Sequence, residues 1–242
     1  ESSAASDVYK RQLKAHSKTA IVSLYLVLGC KPLRFYLQSK RINFLHYILN
    51  LEKENLLSRF FGTQKKNPSK GDWFNTVMED LKSYEIDLDF DRIKQMSKES
   101  FKNLVKKQSN LAAIKYLNNL KTTHSKLDNL IYEKLEIQSY LGHKSVYPHI
   151  AQQIFKWRTR MINVKANFSH GNDDLSCRFC CGHIDSQENV LNCKYVKNKL
   201  DVSGTNYSNI FSNNVDKIKS TVEVLQKAID IRNEIENYEV LF

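Results

Sequence analysis

Four of the five cysteines stand within seventeen residues, in the stretch SCRFCCGHIDSQENVLNC at 176–193. Cys177 and Cys180 are separated by two residues, the spacing at which two thiolates grip one metal ion while the backbone turns around it. Cys193 follows after twelve intervening residues. Because a structural zinc ion takes four ligands in a tetrahedron, these three thiols predict a zinc site that needs one more ligand.

Three residues near the thiols could complete that site. His183 follows Cys180 by three residues, although it would crowd three ligands into a short turn. Cys181 is adjacent to Cys180, and neighbouring cysteines rarely bind the same ion, whereas His170 lies seven residues before Cys177 and could fold back. The alternative is a degenerate site that binds zinc weakly or not at all. Removal of the metal is expected to loosen only residues 170–200.

A basic helix that contains aromatic residues is predicted immediately before the thiols, in IAQQIFKWRTRMINVKANF at 150–168. A helix of this kind beside a zinc site suits contacts to backbone phosphates together with base stacking. The nucleic-acid-binding residues predicted here are Lys156, Trp157, Arg158, Arg160 and Lys165. The alternative is a solvated helix whose arginines pair with acidic residues from 72–91.

A second basic region runs from Lys31 to Lys70, where nine Lys and Arg stand against two Glu. It adds five predicted nucleic-acid contacts: Lys40, Arg41, Lys65, Lys66 and Lys70. The whole chain carries a formal net charge of +11 and has a pI near 9.3, which favours a polyanionic partner, RNA or DNA, over solubility alone.

The acidic segment at 72–91 holds seven Asp and Glu against Lys82 alone. Asp87, Asp89 and Asp91 alternate in it and could be metal ligands for phosphoryl chemistry, which would make the protein a nuclease. The favoured interpretation is that Asp89 or Asp91 caps a helix starting near residue 92.

These residues need elements to position them, and the composition favours helices. Only 7 Gly and 3 Pro occur in 242 residues, and apolar residues recur at intervals of three and four. The predicted fold is mainly α, an irregular multi-helix bundle with a small cysteine-rich loop and a C-terminal helix. That last helix, at about 214–238, carries an apolar seam at 215–229, which packs on the protein itself or serves as a self-association surface.

The predicted organisation has four parts. Residues 1–12 read as a non-native, adapter-like tail, and the initial Glu suggests a piece of a longer protein. A helical region at 13–168, a cysteine-rich module at 169–200, and a loop with an amphipathic helix at 201–242 follow. The clustered cysteines indicate a reducing, intracellular location. Cys30 is predicted to be a buried core thiol. Neither a membrane nor a small molecule is predicted as a partner.

Seven segments, in order, resemble the C-terminal region of reverse transcriptases from jockey-like non-LTR retrotransposons. They are LYLVLGCKPLRF (24–35), KRINFLHYILN (40–50), QKKNPSKGDWFNTVMEDL (64–81), IKQMSKESFKNLVKK (93–107), HSKL (124–127), FKWRTRMINVKANF (155–168) and CRFC…DSQENVLNC (177–193). The resemblance covers roughly residues 17–235.

That resemblance implies a fragment without the catalytic palm, which lies upstream in the family. The family's aromatic-x-Asp-Asp hairpin has no counterpart here, because Asp173–Asp174 stands in a polar loop. The implied role is to help hold template RNA and target DNA beside the parent chain's reverse-transcriptase domains. The family's zinc pattern ends in Gln-Glu-His-x-x-x-Cys, and Asn189 stands where that His belongs.

Overall fold

The computed structural model describes residues 10–15, 19–87, 89–124, 127, 129–130, 132–169, 173–180 and 182–239, with side chains as far as 234. It is mainly helical, which confirms the predicted fold class. The helices are α1 Ile21–Leu28, α2 Leu33–Leu49, α3 Leu56–Lys66, α4 Trp73–Ser83, α5 Phe90–Gln95, α6 Lys98–Lys121, α7 Ser139–Gly142, α8 Pro148–Arg158, α9 Lys165–Phe168, α10 Lys194–Lys199 and α11 Val215–Glu239. Short 3-10 turns occupy Val190–Asn192 and Tyr207–Phe211.

Side-chain caps set several helix starts. The carboxylate of Asp89 accepts a hydrogen bond from the backbone N–H of Arg92 at 2.7 Å, and helix α5 begins at Phe90. This confirms the capping interpretation of the acidic run, because a carboxylate there satisfies a backbone donor that the helix leaves open. Ser97 caps α6 in the same way through the N–H of Ser100.

The chain divides into two compact units. The first comprises Gly29–Asn119 with Tyr132–Leu135, and the second comprises the described parts of Ser2–Leu28, Leu120–Ile131 and Glu136–Phe242. These limits differ from the predicted ones: the region at 13–168 is split between the units, and no boundary falls at 168 or at 200. The physical reason is that Cys177, Cys193 and Val196 belong to the same buried core as α8 and α11.

The first unit is built on α2, α4, α5 and α6. Its core joins Ile42, Val77, Ile93 and Val105, all fully buried. Tyr84 lies within it, and its hydroxyl donates to the Phe35 carbonyl at 2.6 Å. Burial of a tyrosine together with a hydrogen-bond partner for its hydroxyl avoids the cost of an unsatisfied polar group.

The second unit is centred on α8 and α11. Four apolar residues of α11 are buried at the helical spacing that the sequence indicated, and they are Ile218, Val222, Leu225 and Ile229. The seam therefore packs on the protein's own body and does not present a free surface for self-association. None of the described helices combines the length and the apolar character that a membrane-spanning segment requires.

Candidate metal centre

A short hairpin holds the first two thiols. The backbone N–H of Cys177 donates to the carbonyl of His183, and the N–H of Asp185 donates to the carbonyl of Leu175, both at 2.7 Å. A single antiparallel bridge joins Ser176 to Ile184 between them. Residues 178–180 form a turn, so the Cys-x-x-Cys segment lies at the tip of the hairpin.

The third thiol is positioned by the start of a helix. Cys193 stands between the 3-10 turn Val190–Asn192 and the first residue of α10. Backbone N–H groups of Tyr195 and Val196 point at its sulfur, and those of Gly182 and Lys194 point at the sulfur of Cys180. Such donors stabilise thiolates, because they bring positive partial charge to the anionic form.

The three sulfurs converge. The Sγ atoms of Cys177, Cys180 and Cys193 all lie within 4.8 Å of one another, and those of Cys177 and Cys193 are 3.8 Å apart. A disulfide would need about 2.05 Å. Two ligands at about 2.3 Å from a tetrahedral zinc ion lie about 3.8 Å from each other. The cluster thus has the size of a zinc–thiolate site, and soft sulfur ligands select zinc, copper(I) or iron–sulfur centres.

Two of the thiols differ in acidity. The Gly182 N–H lowers the pKa of Cys180, and the N–H of Lys194 acts in the same direction. Burial raises the pKa of Cys193 to about 11, against the opposing effect of two backbone donors. A metal ion must therefore displace a proton from Cys193 at neutral pH, and affinity falls as the pH falls.

The fourth position is not filled by a described side chain of the His, Cys, Asp or Glu type. His183 is exposed and is not part of the cluster; its carbonyl, rather than its ring, serves the hairpin. Cys181 and His170 lie outside the described residues. The side-chain amide of Asn189 donates to the Ile184 carbonyl at 3.3 Å, so it stabilises the hairpin and is not part of the thiol cluster.

Asp185 fastens the hairpin to the rest of the second unit. Its carboxylate is fully buried, and one oxygen contacts the guanidinium of Arg232 on α11. The other oxygen accepts from the backbone N–H of Lys165 at 3.0 Å and lies 3.9 Å from Arg178 Nε. Arg232 also stacks over the ring of Phe179, with 4.8 Å from the guanidinium carbon to the ring centroid.

Gln187 and Glu188 also connect the cysteine module to the rest of the second unit. The buried amide of Gln187 donates to the Trp157 carbonyl at 2.7 Å and contacts the hydroxyl of Tyr207. Its oxygen accepts from the amide of Asn167 at 3.0 Å. Glu188 pairs with Arg160 at 2.6 Å. The residues DSQE between the thiols thus tie the module to α8, α9 and α11.

These contacts correct part of the predicted nucleic-acid surface near the thiols. Trp157 is 0% exposed, so its ring is not available for a base. Arg158 is 4% exposed and donates to the carbonyls of Ile210 and Ser212 and to the Gln138 side chain. The sequence indicated an exposed basic helix with aromatic residues, but packing in the second unit buries two of the five predicted contact residues.

The other basic residues of this stretch are partly neutralised. Arg160 is held by Glu188, and Lys165 lies 3.6 Å from the carboxylate of Asp174. Lys156 is half-buried, with no ion pair among the described residues. Neither pairing involves the segment at 72–91, which the sequence suggested as the source of partners.

The basic residues of the first unit remain largely open. Lys40, Lys65, Lys66 and Lys70 are exposed, whereas Arg41 binds the carboxylate of Asp80 through two hydrogen bonds at 2.7 and 3.1 Å.

Cys30, predicted as a core thiol, is only half-buried, and burial raises its pKa.

Asp185, Gln187 and Arg232 were not singled out by their residue types. Charged and amide side chains are usually exposed, and nothing in their spacing marks them as buried. The sequence gives one indication only: Asp185 and Gln187 stand between Cys180 and Cys193, whose geometry has to be maintained.

No family model matches the chain, and neither a curated protein nor a solved structure shows a significant match to it. The likeness to retrotransposon reverse transcriptases therefore stays a prediction from the motifs at 24–193.

Proposed function

We propose that this chain is a non-catalytic, nucleic-acid-binding segment of a retrotransposon reverse transcriptase, with one unit stabilised by zinc. The observation that carries the proposal is the unpaired positive charge of the first unit. Its exposed lysines at 40, 65, 66 and 70 make no ion pair with the described residues. Unpaired ammonium groups on a chain of net charge +11 favour phosphate ligands.

Binding should be electrostatic and sensitive to salt. We expect the protein to bind a fluorescein-labelled 20-nucleotide single-stranded RNA, with log K falling linearly against log salt concentration. Each lost phosphate contact on a single strand reduces that slope by about 0.7, so the triple variant Lys65→Gln/Lys66→Gln/Lys70→Gln should lower it by up to about 2. Fluorescence anisotropy from low to moderate salt measures both values.

Absence of binding to RNA and to DNA at low salt would overturn the nucleic-acid proposal. Binding that does not change with salt would also contradict it, because phosphate contacts release counterions.

The thiol cluster supports a structural zinc ion, with Cys177, Cys180 and Cys193 as ligands. When bound, zinc would cross-link the hairpin to the start of α10 and so contribute folding free energy. The chain's own residues supply the remaining organisation, since Asp185 and Gln187 hold the hairpin against the core.

Cobalt substitution tests the metal proposal directly. Cobalt(II) added to the reduced protein should bind in a 1:1 ratio and give a thiolate-to-cobalt charge-transfer band, which zinc should abolish. The variant Cys193→Ser should weaken the band by about one third if three thiolates contribute. Cys30→Ser is the matched control, because Cys30 lies outside the cluster.

A protein that holds no metal under reducing conditions would show that the site is degenerate. An unchanged spectrum for Cys193→Ser would show that the metal is bound elsewhere.

A further inference from the structure

The first unit contains a groove of about 540 Å³ between α2 and α6 that is lined by lysines. The five lysines at this groove are Lys31, Lys40, Lys98, Lys102 and Lys106. Glu99 is the only acidic residue along its lining. Among these residues only Lys40 belongs to the set that the sequence analysis predicted to bind nucleic acid.

Three of the lysines form a row on one helix face. Lys98, Lys102 and Lys106 follow one another every four residues along α6, so neighbours share a face and rise about 6 Å per step. All three are exposed, and no carboxylate in the described part of the chain pairs with any of them. A row of unpaired ammonium groups at this spacing can follow successive phosphates along one strand.

A fourth ammonium group is held at the side of this row. Lys31 is half-buried, and its Nζ donates to Ser109 Oγ at 3.0 Å. Burial lowers the pKa of Lys31, and the nearby charge of Lys106 lowers it further. Two like charges are thus kept close together without an acidic partner in contact, an arrangement that an anionic ligand would relieve.

The groove also presents an aromatic ring. Tyr36 on α2 lines it and is 52% exposed. Lys40, one turn later, places its Nζ 5.2 Å from the centroid of that ring. The side chains of Asn43 and Asn103 line the same groove. A ring next to ammonium groups is the combination that binds single strands, because bases stack on the ring while phosphates meet the charges.

We propose that the groove between α2 and α6 binds the phosphate backbone of one strand of RNA or DNA, with Tyr36 stacking on a base. The inference rests on the proposed nucleic-acid function and deepens it, since it places the main contact at residues outside the predicted set. The exposed amide of Asn103 and the exposed ring of Tyr36 favour a nucleic acid over an anionic lipid surface, for which no base-stacking ring is needed.

The decisive experiment compares two triple variants of equal charge. Lys98→Gln/Lys102→Gln/Lys106→Gln removes the row, whereas Lys53→Gln/Lys82→Gln/Lys94→Gln removes three exposed lysines of the same unit that do not line the groove. Glutamine keeps the helix propensity of lysine, and circular dichroism checks that both variants are folded. Labelled 20-nucleotide RNA and DNA strands of one sequence, a duplex of that sequence, and phosphatidylserine vesicles are the probes.

We expect the groove variant to bind both single strands at least about tenfold more weakly than the wild type and to lose about 2 from the salt slope. The control triple should stay within about threefold. Tyr36→Ala should weaken strand binding by about tenfold, whereas Tyr36→Phe, which keeps the ring, should bind as the wild type does.

Equal losses for both triple variants would overturn the inference, because only net charge would then matter. If the wild type binds strands but the groove variant binds them unchanged, the groove fails while the proposed function stands. If the wild type binds no nucleic acid, both fail, and groove-dependent binding to vesicles alone would assign the lysines to lipid. Duplex binding that is equal to strand binding and independent of Tyr36 would remove the stacking role.

Discussion

At the scale of single residues, the hairpin that carries Cys177 and Cys180 is joined to the second unit by a carboxylate outside the thiol cluster. Asp185 is fully buried, and it neutralises Arg232 while accepting a hydrogen bond from the backbone of Lys165. A buried guanidinium without its carboxylate would bear the full cost of lost hydration, because the protein interior screens charge poorly. We therefore expect the pair to stabilise the packing of the hairpin against α11.

Replacing Asp185 with Asn should destabilise the second unit by about 3–5 kcal/mol, since it leaves Arg232 buried without a counter-charge. Thermal and urea unfolding of the reduced protein, with and without added zinc, measure the change in the free energy of unfolding. The double variant Asp185→Asn/Arg232→Met should lose less than the sum of the two single changes, which is the signature of a direct pair.

Asp174→Asn provides the comparison for that experiment. Asp174 belongs to the same module and touches Lys165, but its side chain is 74% exposed. Solvent screens an exposed pair, so this variant should change the free energy of unfolding little. If Asp185→Asn costs no more than Asp174→Asn, the anchoring role of Asp185 is wrong.

At the scale of elements, the cysteine module and helix α11 form one structure. Cys177, Cys193 and Val196 share a buried core with Leu225 and Ile229 of α11. The ion pair between Asp185 and Arg232 joins the same two elements. Disorder in the hairpin would therefore expose apolar surface of α11, and the loosening at 170–200 expected from the sequence should extend further.

Zinc removal should reduce hydrogen-exchange protection in the hairpin, in α10 and in α11 around Arg232. The physical reason is that local opening follows the packing between elements rather than their order in the chain. Exchange measured by mass spectrometry with and without a chelator, under reducing conditions, gives the comparison. Helices α2 and α6 are the internal control, because their core belongs to the other unit.

A change confined to 170–200 would show that α11 is stable without the module. Loss of protection throughout the first unit as well would contradict the division into two cores.

At the scale of the whole molecule, carboxylates and carbonyls engage some of the basic residues and leave others open. In the second unit, Arg158, Arg160 and Arg232 are engaged by carbonyls or carboxylates. In the first unit, the lysines at 98, 102 and 106 remain unpaired among the described residues and line one groove. The net charge indicates a polyanionic partner for the chain. Which surface would bind that partner is indicated only by which basic residues have no carboxylate partner.

The sequence alone determined the helical class, a helix cap at Asp89 or Asp91, the α11 seam and the proximity of the three thiols. These features depend on local spacing, which a single segment of chain carries by itself. The tertiary structure decided which residues are buried: Trp157 and Arg158 lie in the core, and Asp185 is buried in an ion pair with Arg232. Burial of a residue depends on which distant segment packs on it, and periodicity does not encode that partner.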